Sequence, residues 1–286
     1  MAVLGGKWPL ETREENEMEF HQELITPEKA KKILKNNLPY NRKVSVKVVE
    51  LYARDMEEGR WNEYCPAAIA ISSKGYLIDG QHRLLAVVKS GVPIVFTIAT
   101  GVSENAFEYI DNGKKREAWQ FLDGTQVKNR QAMAKFLCSL DMGNSFSQAI
   151  RGTITITRQE LLEYENEHRD EIVEAVNAGL RIREAVGVGS NLAYGAALAV
   201  QSRLGEANIK DYNAERLAKS ENFLLLVKTI TRAYLSAKSN PNAAWVSGTM
   251  LQFIEAEEQG KPVRSFNKQE AMLEKYTDIY RKRFGV

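Results

Sequence analysis

The sequence has few cysteines, few histidines and no long apolar run, and each shortage excludes a class of protein. Its 286 residues include two cysteines, Cys65 and Cys138, and three histidines. No CxxC pair and no cluster at zinc-ligand spacing is present, so we predict buried thiols and no structural metal site. No apolar run approaches the roughly 20 residues that span a bilayer, and residues 1–10 lack the layout of a secretory signal. We therefore expect a cytoplasmic protein without a membrane partner.

Neither sign of charge is in large excess, but the charges are unevenly distributed. The formal net charge of +2 neither indicates nor excludes nucleic acid as a partner. Residues 1–25 hold six Glu against Lys7 and Arg13, whereas residues 26–60 hold nine Lys or Arg against five acids. This basic stretch is interpreted either as a set of solvated helix faces or as a contact to a phosphate backbone.

Helix and strand signals alternate in the first part of the chain. An acidic N-terminal arm is predicted over residues 1–24. After it we predict, in order, helices capped by Thr26 and Ser45, strands over 67–71 and 76–78, a helix over 81–89, a strand over 93–99, and helices over 103–110 and 114–122. The two strands before residue 79 form a β-hairpin that leads into Asp79 and Gly80.

Helical patterns dominate after residue 123. We predict helices near 129–141, 158–183, 190–204, 214–238, 243–259 and 267–283. Residues 153–156 have strand character, but they precede Thr157 and Glu160, which have the spacing of a capping box. The sequence therefore predicts an α+β protein, with a small mixed sheet in a domain over 25–123 and an all-helical domain over 124–286.

One pentapeptide, Asp79-Gly80-Gln81-His82-Arg83, has the residue types of an anion site. A strand that enters a helix through glycine directs backbone N–H groups and the positive end of the helix dipole to one point. His82 and Arg83 can donate to a phosphate, while Asp79 can hold Mg²⁺ or accept a proton. The simpler interpretation is an ordinary Asp-Gly turn followed by a solvated helix start.

The context of this pentapeptide is more specific than its five letters. The segments around it occur in a fixed order: a helix, Gly59-Arg60-Trp61, the hairpin, D-G-Q-H-R, a helix ending in glycine, Val92-Pro93 and a strand. This order resembles the ParB/sulfiredoxin-like superfamily, in particular its D-G-Q-H-R-type members, which are frequent in phages and mobile elements. The resemblance covers residues 25–123. It implies a domain that binds a nucleoside triphosphate (ATP or CTP) with Mg²⁺, in a protein that acts with or on DNA.

The turn departs from its relatives in this superfamily at two positions. In ParB-type proteins it reads G-E-R-R-x-x-A, so that Gly80, Arg83 and Ala86 match, whereas Gln81 and His82 replace Glu and Arg. An amide cannot act as a base and is a poorer Mg²⁺ ligand than a carboxylate, which argues against ParB-type hydrolysis of CTP. Sulfiredoxins have a nucleophilic cysteine where Gln81 stands, so sulfinic acid reductase activity is not expected.

A second element, Asp111 to Arg116, resembles the N-x-x-R box of ParB proteins, with Lys115 rather than Arg116 at the expected spacing from Asn112. A helix-capping turn with solvated basic residues is the alternative. The predicted catalytic residues are Asp79, His82 and Arg83, and Asp79 is the predicted metal ligand. The predicted nucleotide-binding residues are Gly80, Gln81, Arg83, Asn112, Lys115 and Arg116, and the predicted DNA-binding residues are Lys31, Lys32, Lys35, Lys114, Lys115 and Arg116.

Three functions are compatible with these features. The leading one is a nucleotide-binding protein that acts with or on DNA. The second is an enzyme, a Mg²⁺-dependent hydrolase of nucleoside triphosphates or a phosphotransferase, with modified DNA bases as one substrate. The third is a non-catalytic protein that binds DNA or blocks a partner. Trp61 is interpreted as a core residue over the hairpin, and Leu224–Val227 as a buried helix segment with a homodimer face as the alternative.

Overall fold

The computed structural model describes residues 18–39, 41, 43–63, 65, 67–103, 118–236 and 241–286. The chain divides into two compact units, Met1–Lys115 and Arg116–Val286. The described part of the first unit contains a four-stranded mixed sheet with helices, and that of the second unit is helical. The predicted α+β fold class is therefore confirmed. The division between the units lies before the predicted boundary at residues 123–124.

The sheet of the N-terminal unit has the strand order β1-β4-β2-β3. The elements of this unit are β1 (Glu19–Ile25), α1 (Pro27–Leu34), α2 (Val46–Glu57), β2 (Ile69–Ser72), β3 (Leu77–Asp79), α3 (Gln81–Ser90) and β4 (Ile94–Val102). Strand β4 is antiparallel to β1 and parallel to β2, while β2 and β3 form the predicted antiparallel hairpin. The chain therefore places the end of β3 and the start of α3 at the open end of the hairpin.

Strand β1 corrects the prediction of a loosely packed arm that ends at residue 24. Residues 19–25 pair antiparallel with β4, from Glu19 opposite Thr100 to Ile25 opposite Ile94. The prediction failed because its signals were local: a Glu-rich segment has little strand propensity, and the ladder depends on a strand about 70 residues further along the chain. The preceding residues of the arm, 1–17, lie outside the described residues.

The two faces of the sheet have different apolar clusters. The helical face buries Ile25, Ile69 and Phe96 against α1, α2 and α3. Trp61 packs edge-on against Tyr52 and Phe96, with ring centroids 5.3 and 5.9 Å apart, which confirms its predicted core role. The other face buries a smaller set of residues, which are Leu38, Ala70, Ile78, Ala99 and Val102. Side chains alternate along a strand, so β4 contributes to both clusters.

The described part of the second unit contains nine α-helices. They are α4 (Val127–Asp141), α5 (Phe146–Ile150), α6 (Arg158–Glu167), α7 (Arg169–Val186), α8 (Asn191–Arg203), α9 (Ala214–Lys219), α10 (Glu221–Leu235), α11 (Ala243–Glu258) and α12 (Gln269–Phe284). The predicted helix over 158–183 is two helices that meet at His168, and the one over 214–238 is two that meet at Ser220. Thr157 forms the predicted capping box with Glu160.

Close helix packing defines the core of the helical unit. The apolar stripe of α4 is buried as predicted: Met133, Phe136, Leu137 and Leu140 are at most 1% exposed. Helices α7 and α8 approach each other at Gly195, where an added Cβ would collide with the carbonyl of Ala175. On α10, Leu226 is buried while Leu224 is 57% exposed.

The predictions about the two cysteines and about membrane-spanning segments can be compared with the structure. Cys138 is buried as expected, whereas Cys65, on the connection between α2 and β2, is exposed, which corrects the prediction of two buried thiols. Within the described ranges, no helix has the length and apolar content that crossing a bilayer requires.

Candidate anion site at the start of helix α3

Gly80 connects the last residue of β3 to the first residue of α3. Its φ of +105° lies in the left-handed region, which side chains with a Cβ rarely adopt. A Cβ at this position would collide with the side chain of Ile69, which is fully buried. The glycine is therefore required by backbone conformation and core packing.

Asp79 and Arg83 form an ion pair across the glycine. Asp79 Oδ1 accepts from the Gly80 N–H at 2.6 Å, and Asp79 Oδ2 accepts from Arg83 Nη2 at 2.9 Å. The Arg83 guanidinium also donates to the carbonyls of Ala67, through Nη1, and Ala68, through Nη2 at 2.8 Å. Its side chain is only 13% exposed. Arg83 therefore holds the start of α3 against the segment that precedes β2.

Gln81 and His82 point into the protein. They are 6% and 8% exposed. Gln81 Oε1 accepts from Asn37 Nδ2 at 2.6 Å, and His82 Nε2 accepts from the Ser45 N–H at 2.9 Å. An Nε2 that accepts a hydrogen bond carries no proton to donate to a phosphate. The phosphate-donor role predicted for His82 would therefore fall to Nδ1–H, and it stays a prediction.

The connection between α1 and α2 supplies partners that sequence reasoning missed. Asn41 Nδ2 donates to Asn37 Oδ1 at 2.7 Å and to the Leu77 carbonyl at 3.1 Å, so that a chain of amides continues to Gln81. A pair of amide side chains between two helices was the available signal, because asparagine can bridge backbone and side chains.

The N-terminus of α3 remains the element that can bind an anion. The cap residue of this ten-residue helix is Gly80, which has no side chain to accept from the N–H groups of the first turn, while Asp79 Oδ1 accepts from the N–H of Gly80 itself. The first N–H groups of a helix lack partners within the helix and lie at the positive end of its dipole. Lys31, Lys32 and Lys35 are exposed on or just after α1, and Lys35 lies two residues before Asn37. These three lysines therefore lie on the part of the chain that leads into Asn37, the partner of Gln81.

The fit to Mg²⁺ is poor in the described residues. Both oxygens of Asp79 already accept hydrogen bonds, one of them from a guanidinium. A guanidinium 2.9 Å from the carboxylate opposes a second cation at the same oxygen. No group of three Asp, Glu, His or Cys with metal-binding geometry occurs in the described part of the chain. We therefore derive no catalytic step through magnesium.

The predicted second element cannot be compared with the structure. Asn112, Lys114, Lys115 and Arg116 lie outside the described residues. The same holds for most of the two helices predicted over 103–122, of which residues 118–121 form a short 3₁₀ helix.

The helical unit contains an open groove of about 750 Å³. Trp245, Arg151, Glu270 and Glu274 are among its lining residues. Of the residues predicted to bind nucleotide or DNA, none of those that the structure describes lines this groove. Its lining has both signs of charge and points to no one ligand class, so the α3 N-terminus remains the candidate site.

A buried polar cluster in the helical unit has the residue types of an active site but is internally paired. Arg203 donates to Asp141, Glu171 and Tyr164. Tyr280 donates to Asp141 Oδ1 at 2.5 Å. Burial raises the pKa of Tyr164 far above its usual value, which keeps this hydroxyl protonated. The cluster therefore connects α4, α6, α7, α8 and α12 and serves packing.

No family model, no curated protein and no solved structure matches this chain. The resemblance to ParB-type proteins consequently depends on the residues of the turn and the order of elements around it.

Proposed function

We propose that this chain is a ParB-like nucleotide-binding protein that acts with DNA, and that its N-terminal unit binds a phosphate group at the start of α3. The observation that carries the proposal is the passage from β3 through Gly80 into a helix whose cap residue has no side chain to accept from the N–H groups of the first turn. A phosphate accepts hydrogen bonds from such N–H groups and interacts favourably with the helix dipole.

The surrounding contacts support a rigid site. Gln81 and His82 fix the segment 37–45 beside α3, and Arg83 fixes the segment before β2. A site held in place before binding loses less conformational entropy when the ligand arrives. Gln81, His82 and Arg83 thus support phosphate binding by holding the backbone around the start of α3 in place.

The same contacts favour a binding protein over an enzyme. The Asp79 carboxylate is neutralised by Arg83 and caps Gly80, which leaves it poorly suited to hold Mg²⁺ or abstract a proton. In this proposal the protein binds a nucleotide, and Mg²⁺ arrives bound to that nucleotide. Hydrolysis and phosphoryl transfer remain the alternative that the first experiment tests.

Calorimetric titration of the full chain with common nucleoside triphosphates and with inorganic pyrophosphate, with and without Mg²⁺ and DNA, tests the phosphate site. Asp79→Asn retains the acceptor for the Gly80 N–H but removes a negative charge near the ligand. We expect it to tighten binding by about 3- to 10-fold, with no turnover in either protein. If Asp79 acts in catalysis, Asn instead lowers turnover by about 10²-fold or more.

Arg83→Ala is the matched variant. If Arg83 also contacts phosphate, affinity falls by about 1.5–3 kcal/mol. If its role is only to hold the fold, the unfolding free energy falls and the affinity of the folded protein is unchanged. No binding of any nucleotide or pyrophosphate to the wild-type chain contradicts the proposal.

The DNA part of the proposal depends on the exposed lysines of α1. Reversing the charge of Lys31, Lys32 and Lys35 together should flatten the slope of log affinity against log salt by about 2–3, because each phosphate contact contributes about 0.9. The control reverses Lys210, Lys228 and Lys282, which are exposed in the helical unit, and should leave the slope unchanged. Equal slopes for both triple variants, or no DNA binding at low salt, contradict a DNA contact on α1.

A further inference from the structure

Strand β1 is at the edge of the sheet and is unusually exposed. Among the described strands it pairs with β4 alone. Its first four residues, Glu19 to Gln22, are exposed. An edge strand presents unpaired backbone N–H and C=O groups, and proteins usually protect such an edge with charge, proline or a covering element.

One face of β1 carries Phe20 and Leu24 on either side of Gln22, and Met18 directly precedes the strand. Met18, Phe20 and Leu24 are 53%, 60% and 53% exposed. They alternate along the strand and therefore point to the same face, the one that carries the small cluster around Ile78 and Ala99. A free edge that adjoins exposed large apolar side chains is typical of a surface that pairs with another strand.

The sequence of β1 is complementary to itself in one antiparallel register. If two copies pair about a two-fold axis at Gln22, Phe20 of each strand lies opposite Leu24 of the other. On the other face His21 lies opposite Glu23. A shift of the axis to residue 21 places Glu19 opposite Glu23, and a shift to residue 23 places His21 opposite Ile25. Of these three registers, the one centred on Gln22 pairs both Phe20 with Leu24 and His21 with Glu23, and it also places Glu19 opposite Ile25.

The charges of β1 support a second copy of this chain as the occupant. His21 Nε2 lies 3.8 Å from Glu23 within one strand, and Glu23 also accepts from Lys29 Nζ on α1, so these groups are on the helical face of the sheet. In the two-fold pair, His21 of each strand lies opposite Glu23 of the other strand. Symmetry therefore makes this His–Glu contact occur twice. A strand of seven residues buries less area than a standard interface, so this association is weak and depends on protein concentration.

We propose that β1 is a homodimer surface, through which two copies pair antiparallel about Gln22 and continue the sheet from one N-terminal unit into the other. This dimer is independent of nucleotide and DNA. It is also distinct from the predicted face on α10.

Sedimentation equilibrium of the full chain, without nucleotide or DNA, tests the dimer with two variants of one exposed position. His21→Glu places like charges opposite each other twice, and should weaken association by about 2- to 30-fold. His21→Lys retains the opposite charges and should leave association equal or tighter. Circular dichroism shows whether both variants are folded. A wild-type chain that stays monomeric at the highest concentration, or equal effects of the two variants, overturns the proposal.

A cross-link tests the register in a Cys65→Ser background, which removes the exposed native thiol. Gln22→Cys lies at the two-fold axis and should form an intermolecular disulfide under mild oxidation. Glu19→Cys is as exposed but lies opposite Ile25, and should form little. Equal cross-linking at both positions contradicts pairing about Gln22.

Discussion

Both units place an arginine against a carboxylate, but in different surroundings. The Arg83 and Asp79 side chains are 13% and 31% exposed, whereas Arg130 on α4 and Glu165 on α6 are 5% and 1% exposed. Arg83 holds a turn beside the start of α3, where Gly80, Gln81 and His82 are buried, and Arg130 joins two helices and the carbonyl of Asp123 inside the core. The comparison indicates that the polar contacts of Arg83 fix a half-buried turn, while those of Arg130 fix the packing of the helical unit.

The largest expected difference between the units is their response to alkaline pH. Burial raises the pKa of five tyrosines in the helical unit far above the usual value, and these are Tyr164, Tyr194, Tyr212, Tyr276 and Tyr280. A group whose pKa is raised by folding stabilises the protein below its unfolded pKa, about 10 for tyrosine, and loses this contribution as the pH rises further. The helical unit should therefore unfold first above about pH 10.

Trp61 and Trp245 provide fluorescence reporters for the two units in this titration. Tyr76→Phe is the control, since this tyrosine is 41% exposed in the N-terminal unit and should not change the transition. Loss of the Trp61 signal before the Trp245 signal contradicts the assignment of the sensitivity to the helical unit.

Breaking the buried ion pair should have the next largest effect. Arg130→Met leaves Glu165 with Arg169 as its remaining cation and removes the donor to the Asp123 carbonyl. Loss of one partner of a buried pair costs about 3–5 kcal/mol, measurable as a lower free energy of unfolding in urea. Arg169→Met removes the cation that is 43% exposed and should cost about 1 kcal/mol or less. Similar losses of unfolding free energy in both variants would contradict the larger contribution that we assign to Arg130.

Substitution of Gly80 should have an intermediate effect in the N-terminal unit. Gly80→Ala imposes a Cβ at φ +105° against the buried Ile69, which we expect to cost about 2–3 kcal/mol. Gly75→Ala is the control, because its φ of +83° carries the same backbone strain while no atom lies within 4 Å of the added Cβ. It should cost about 1 kcal/mol. Equal losses of unfolding free energy in the two variants would show that Ile69 moves away from the added Cβ without a measurable penalty.

The smallest predicted effect concerns His82. His82→Ala removes the acceptor for the Ser45 N–H and should lower the unfolding free energy by about 1–2 kcal/mol. Lys89→Ala, at an exposed position of the same helix, should change it by less than about 0.5 kcal/mol. Unfolding followed with Trp61 as the only tryptophan gives both values. A His82→Ala chain as stable as the wild type contradicts a structural role for this histidine.

Local signals predicted much of the fold. Thr26 and Thr157 cap their helices as expected, since the cap needs only its own side chain and the next turn. The hairpin of β2 and β3 follows from its turn residues. Strand β1 and the breaks at His168 and Ser220 were missed, because a pairing with a distant strand and a change of helix direction leave little trace in composition.

The candidate site was only partly readable from the sequence. The order of residues in the turn fixed Gly80 at the junction of a strand and a helix, because glycine and the flanking periodicities are local. Which way Gln81, His82 and Arg83 point was decided by Asn37, Ser45 and the carbonyls of Ala67 and Ala68, which the fold brings to them from other segments. Side-chain direction depends on such distant partners, so the sequence determined the type of turn and the tertiary structure alone determined which groups remain for a ligand.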